Sequence, residues 1–279
     1  MNVMSEYIME KFSVLMSVYY QERPEFLDAA LASVFGQTVP PDDVVLVKDG
    51  PLTSELDAVV ERYCREHPQL RIVPLVRNVG LGAALNEGLK HCRYDLVARM
   101  DTDDVCLPDR FERQLTVFQE HPEYDIIGGW IDEFSNDPEY PETVRQLPET
   151  HDEIRRFFRS RSPLNHVTVM FRRPDVLAAG GYQPFYLLED YWLWGRMLHN
   201  EAQFYNIPAV LVHVRGGRTM AARRGGWRYA KSEIRLQHEF LKLGLINPAM
   251  FCRNTAIRFA VRIMPNRLRT FVYQKLLRK

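Results

Sequence analysis

Residues 98–111 read ARMDTDDVCLPDRF, which puts Asp101, Asp103 and Asp104 within four positions. Carboxylates this close repel one another unless a positive charge sits among them. Hard oxygen ligands in a D-x-D arrangement suit Mn²⁺ or Mg²⁺, and such a cation can bridge a diphosphate. A solvated acidic turn capping the next helix is the plain alternative. A full Ca²⁺ loop fits less well, because its glycine and distal glutamate are missing. A second carboxylate pair, Glu189-Asp190, lies in YLLEDYWLWGRML (186–198) beside Trp192 and Trp194. At a helix start it would favour the dipole, and the tryptophans offer either a sugar-stacking surface or core. HVRGGRTMAARRGG (213–226) sets Arg218, Arg223 and Arg224 among glycines. Glycine lets backbone approach a ligand closely and arginine forks match phosphate oxygens, although a solvated basic loop would look the same. His166 could contact an acceptor or be a buried, hydrogen-bonded histidine. His213 could join a metal shell or be structural.

These groups need elements to position them. FSVLMSVYY (12–20), DVVLVKDG (43–50), RIVPLV (71–76) and YDLVARMD (94–101) are short apolar runs, the signature of buried strands. Helical patterns fall between them, at 24–36 with Pro24 at its start, at 54–67 and at 81–92, and another follows near 108–120. Alternating strands and helices predict an α/β fold with a doubly wound, mainly parallel sheet, whose ligands bind at the carboxyl ends of the strands. Tyr19, Glu22, Asp49, Asn78, Asp101 and Asp103 fall at those ends. After about residue 135 the alternation stops. A Pro-rich loop (135–150), a helix (151–160), a strand VTVMF (167–171), a strand AVLVHVR (209–215) and helices at 227–243, 254–264 and 266–278 are expected.

The chain has 279 residues, enough for one large domain with an appendage. Its formal charge is zero, but no acidic residue follows Glu239 while nine cations do, so the rest of the chain is net −9. A basic, apolar tail with near-helical spacing suits an anionic membrane surface, or else packs on the protein. Nucleic-acid binding is not expected, since no recognition motif accompanies the charge. Cys64, Cys92, Cys106 and Cys252 lack CxxC spacing and read as reduced thiols of a cytoplasmic protein. Neither a signal peptide nor a run of about 18 apolar residues is evident.

Taken in order, SVYYQERPEFLDAALASVFGQT, VVLVKDG, RNVGLGAALNEGL, ARMDTDD and LLEDYWLW resemble family 2 glycosyltransferases of the GT-A fold, in particular bacterial O-antigen and exopolysaccharide enzymes. The resemblance covers roughly residues 12–235. It implies a GT-A catalytic domain over 1–235, with a nucleotide-binding half at 12–134 and an acceptor-binding half at 135–235, followed by a helical extension at 236–279. It also implies a UDP-sugar donor, in whose pocket Ser17, Tyr19, Glu22, Asp49, Asn78, Gly80, Asn86 and Asp101 would lie. Asp49 would accept from the uracil N–H, although most relatives carry Asp-Asp-Gly where this chain has Lys48-Asp49-Gly50. Asp103, with Asp101, would hold Mn²⁺ or Mg²⁺. Asp104 would support the metal, face the sugar or cap a helix. Asp190 would be the base of an inverting transfer and Glu189 would orient the acceptor. His166, Trp192, Arg218, Arg223 and Arg224 would meet the acceptor or a diphosphate. The expected acceptor is a lipid-diphosphate-linked saccharide, reached by peripheral contact at the inner face of the plasma membrane. A nucleotidyltransferase is rejected because no glycine-rich loop follows the first strand. A non-catalytic sugar- or membrane-binding protein on the same scaffold is the remaining alternative.

Overall fold

The computed structural model describes residues 10–216 and 226–263. Strands β1 (Phe12–Val18), β2 (Asp43–Lys48), β3 (Leu70–Pro74) and β4 (Leu96–Arg99) alternate with helices α1 (Pro24–Phe35), α2 (Ser54–Glu66) and α3 (Leu81–Leu89). Then follow β5 (Val105–Cys106), α4 (Arg110–Glu120), β6 (Ile126–Phe134), β7 (Thr143–Arg145) and α5 (His151–Phe158). Next come β8 (Met170–Arg172), α6 (Arg173–Ala178), α7 (Glu189–His199), β9 (Phe204–Arg215), α8 (Trp227–Lys242) and α9 (Pro248–Ile263). The sheet order is β3-β2-β1-β4-β8-β6-β9-β5, with β7 beside β6. β3, β2, β1 and β4 are mutually parallel, as are β6 and β9, while β8, β5 and β7 run against their neighbours.

Alternation along the strands builds two cores, one on each face. Val14, Met16, Val44 and Leu46 pack against Leu27 and Leu31 of α1, Leu56 and Val60 of α2, and Phe111 and Leu115 of α4. Leu15, Val45 and Val47 face the other way, onto Ala84, Leu85 and Leu89 of α3. That second core continues into Phe158, Trp194, Leu236 and Phe240 from α5, α7 and α8. Burial on both faces is why the strands read as unbroken apolar runs. Pro24 opens α1, and its buried Leu27, Ala30, Leu31 and Val34 form one helical stripe. The Thr53 hydroxyl caps α2 by accepting from the Leu56 amide at 3.3 Å.

Several local expectations change. The stretch 167–171 is not one strand: a single 3₁₀ turn, His166–Thr168, precedes β8. The Thr168 hydroxyl donates to the Asn165 carbonyl at 2.9 Å, which favours the turn over a ladder. β6 arises where no strand was expected, since Gly128-Gly129 weakens strand character. These glycines are needed there, because a Cβ on Gly128 would collide with the Asn206 amide and one on Gly129 with Leu211. β9 accordingly starts at Phe204, five residues early, and β7 forms inside the Pro-rich loop. Finally, α9 starts at Pro248 rather than 254.

α8 and α9 are fastened to the body rather than appended to it. Buried Glu233 of α8 accepts from Arg258 at 2.7 Å and from Arg262 at 2.8 and 2.9 Å. Asn254 of α9 donates to the Arg159 carbonyl at the end of α5, at 2.7 Å. Two of the cations counted in the basic tail are thus internal. Residues 264–279, including the expected helix at 266–278, lie outside the described residues. No helix among the described residues is long and apolar enough to cross a membrane.

Candidate active site

The carboxyl ends of β1, β2 and β4 meet at one edge of the sheet. From β1, Ser17 is half-buried and the chain turns outward through Tyr19, 38 % exposed. Glu22 Oε2 accepts from the Thr102 hydroxyl at 3.0 Å, which ties this loop to the aspartate cluster. From β2, buried Asp49 accepts from the amides of Val79 at 2.7 Å and Gly80 at 3.0 Å. Asn78 donates to the Asp49 carbonyl at 3.3 Å. Each carboxylate oxygen has a second acceptor position left. Gly50, at φ 89°, is required here: a Cβ would lie 2.7 Å from the Asn78 nitrogen. Lys48, the departure from the family pattern, is drawn off to Asp57 of α2 at 2.5 Å.

Oxygens of Asp101, Asp103 and Asp104 all lie within 4.8 Å of one another at the end of β4. Burial, then Asp101 and Glu22, pushes Asp103 up to about 7. Burial and Asp103 hold Asp104 well above the carboxylate range. Such a cluster favours a cation, and its donors are the hard oxygens that Mn²⁺ or Mg²⁺ takes. Asp104 does not cap the following helix; it accepts from the Arg215 amide at 2.7 Å, and Arg215 Nε donates to the Asp103 carbonyl at 3.1 Å. The last residue of β9 therefore holds the aspartate loop in place. His213 lies outside this cluster and faces Asp132, 2.8 Å away.

Arg99, 1 % exposed, was not anticipated. Its guanidinium pairs through both terminal nitrogens with both oxygens of Asp101. Burial opposes its charge, but Asp101 outweighs that and keeps it protonated. Arg99 also influences Asp103, Asp104, Glu189, His166 and Tyr182, so one buried cation serves the whole site. An arginine inside an apolar strand gives no separate signal; its partner two residues on was the available clue.

Glu189 and Asp190 form the first turn of α7. Burial, then Asp190, pushes Glu189 up to about 7, and Asp101 adds to the rise from across the site. Asp190 Oδ1 accepts from the Tyr191 amide at 2.7 Å. α3 packs directly beneath: a Cβ on Gly82 would lie 3.1 Å from the Glu189 Cβ. Asn86, further along α3, abuts Gly181. His166 Nε2 lies 2.8 Å from the Tyr182 hydroxyl. Burial and Arg99 hold it neutral, and burial raises Tyr182. Tyr182, also unanticipated, feels Arg99, Asp190, Glu189 and Asp101 alike. Trp194 is fully buried core, which removes it as a sugar platform. Trp192 is half-buried, donates to Gln183 Oε1 at 2.9 Å and carries Arg196 on its ring. Arg218, Arg223 and Arg224 lie outside the described residues.

A mainly parallel α/β sheet thus gathers acidic groups at the carboxyl ends of its strands. Residues 13–179 match the profile of glycosyl transferase family 2. The chain is 44 % identical over 267 residues to the amylovoran biosynthesis glycosyltransferase AmsE of Erwinia amylovora, covering 95 % of this chain and 98 % of that one. It is 39 % identical over 269 residues to the Escherichia coli UDP-Gal:alpha-D-GlcNAc-diphosphoundecaprenol beta-1,3-galactosyltransferase, covering 96 % and 97 %. Among solved structures, S. aureus TarS 1-349 with UDP-GlcNAc superposes with a TM-score of 0.66 at 20 % identity, covering 90 % of this chain and 72 % of that one. The Pyrobaculum calidifontis mannosyltransferase PcManGT with GDP-Man and Mn²⁺ gives 0.64 at 16 %, covering 91 % and 70 %. The chain spans 43 % of the chain in another S. aureus TarS crystal structure. The fold is GT-A, and the chain belongs to glycosyltransferase family 2.

Proposed function

We propose that this glycosyltransferase moves a hexose or N-acetylhexosamine from a UDP-sugar to a lipid-diphosphate-linked saccharide, with inversion, in bacterial surface polysaccharide synthesis. The observation that carries the reading is the pairing of two carboxylate groups in one site, Asp101/Asp103/Asp104 at the end of β4 and Glu189/Asp190 at the start of α7, with Arg99 electrostatically linking both. The relatives named for polysaccharide and diphosphoundecaprenol chemistry support the donor and acceptor classes.

Asp103 and Asp101 are the residues that would hold Mn²⁺ or Mg²⁺, which when bound supplies positive charge to a diphosphate leaving group. Tyr19 and Ser17 line the nucleoside side, and Asp49 uses its remaining acceptor positions for the uracil N–H. Asp190 takes the proton from an acceptor hydroxyl as that oxygen bonds to the anomeric carbon. The bond to the diphosphate breaks on the opposite face, so the configuration inverts and the electron pair leaves with UDP. Glu189, whose carboxyl burial raises to about 7, keeps a proton over part of the neutral range and donates it in a hydrogen bond to the acceptor. The acceptor's lipid implies peripheral contact with the inner face of the plasma membrane. A screen of UDP-sugars with lipid-diphosphate GlcNAc or GalNAc, followed by UDP release, tests this. EDTA abolishes release and Mn²⁺ or Mg²⁺ restores it; full turnover without a divalent ion would overturn the assignment of Asp103.

A further inference from the structure

The outer face of α8 has an unusual composition. Trp227, Arg228, Lys231, Arg235 and His238 are exposed along it, and Trp227 is 58 % accessible. No acidic residue is exposed on it: Glu233 is buried on two arginines, and Glu239 is half-buried beside Lys242. The loop that leads into Glu189 lies against this helix. Arg228 covers the Tyr186 ring at 4.0 Å, Arg235 covers Phe185 at 5.0 Å, and the Ser232 hydroxyl donates to the Tyr186 carbonyl at 2.9 Å. Tyr186 and Leu187 are nonetheless 41 % and 46 % exposed. Leu187 also sits at φ 58°, a left-handed conformation that a leucine adopts at a cost. Water gives no compensation for an exposed leucine held this way.

We propose that this face, comprising Tyr186, Leu187, Trp227, Arg228, Lys231 and Arg235, rests on an anionic lipid bilayer. Indole and phenol rings partition into the headgroup layer, an exposed leucine reaches the acyl boundary, and cations without acidic neighbours complement anionic lipid. A soluble acidic partner would use the cations but leave Leu187 and Trp227 without a role. Because Tyr186 and Leu187 lead directly into α7, this contact turns the base side of the site toward the bilayer. The proposal rests on the lipid-linked acceptor reading, which it makes geometric, and it is tested separately from it.

The full chain is floated with phosphatidylcholine vesicles, with and without about one-third phosphatidylglycerol. Partitioning at least tenfold stronger on the anionic vesicles, and lost at high salt, is expected. Lys231→Glu lowers it about tenfold or more, because it changes the charge by two and each charge near the surface is worth about fivefold. Brominated anionic lipid quenches tryptophan fluorescence of the wild type, and Trp227→Phe, a substitution that keeps an aromatic ring beside Phe259, removes the quenchable fraction. The other tryptophans are 130, 192 and 194, so this readout reports α8 and not the tail. Acceptor-independent UDP release stays unchanged in both variants. Equal binding to neutral and anionic vesicles, wild-type flotation by Lys231→Glu, or unchanged quenching in Trp227→Phe would each overturn the proposal. Vesicle binding without transfer to any lipid-diphosphate acceptor would instead sink the acceptor reading and leave the surface standing.

Discussion

Asp190 and Glu189 are adjacent, yet their environments give them different work. Replacing Asp190 by Asn keeps the shape and the amide contact but removes the base. We expect kcat to fall about 10²–10⁴-fold with donor affinity and melting temperature nearly unchanged. A wild-type rate in a folded Asp190→Asn protein would rule out the base. Glu189 offers a pH test. Burial raises its pKa from 4.5 to about 7. Between those values the folded chain holds a proton that the unfolded chain has released. Stability from this group is therefore complete below about pH 4.5 and is lost as pH rises through 7. Glu189→Gln should remove that loss and gain about 1–2 kcal/mol at pH 8, discounted for partial exposure, with no gain at pH 4. Urea titrations at the two pH values measure it.

α7 carries the base, and its position is set by the two elements that grip it. α3 closes on its first turn through Gly82, and α8 closes on its middle through Gly195. A Cβ on Gly195 would collide with the Phe240 ring and come within 3.2 Å of Phe158. Gly195→Ala gains about 1 kcal/mol in helix propensity but overpacks the α7–α8 contact by about 1–3 kcal/mol. A net loss of stability in urea is expected, with kcat lowered because α7 is displaced. An unchanged denaturation midpoint would show that Phe240 yields freely. The strands β6 and β9 illustrate how an element can escape a sequence reading. Their pairing depends on Gly128 and Gly129 leaving room for Asn206 and Leu211, a complementarity between residues about 80 positions apart.

Among the described residues, the helices α8 and α9 join the body through the second core and a buried ion cluster. Glu233 is the hub, with Arg258 and Arg262 on it and the Tyr191 ring 5.7 Å from Arg258. Glu233→Gln leaves two buried guanidinium groups without their counter-charge, and a loss of about 3–5 kcal/mol follows. Thermal unfolding reads it directly. Replacing all three residues by apolar ones of similar volume should recover most of the loss, since a buried pair costs much of what it returns. Failure of Glu233→Gln to lower the melting temperature would mean that α8 and α9 hold by packing alone.

The sequence by itself determined the α/β alternation and the carboxyl-edge location of Asp49 and the aspartates, and its ordered motifs carried the resemblance to the family. The first two rest on local physics: apolar runs for strands buried on both faces, and Pro24 at a helix start. It left open the jobs of individual polar residues, because a hydrogen bond partner lies wherever the chain returns. Tertiary structure decided that Asp104 is tied to the Arg215 amide, that His166 belongs to Tyr182, and that Trp194 is core. It also drew Arg99 beside Asp101 and within electrostatic reach of Glu189, and placed Arg258 and Arg262, from a tail that suited either a membrane surface or the protein, on Glu233. Charge in a sequence is only a count; burial and the partner's position, both non-local, decide whether it is solvated, paired or catalytic.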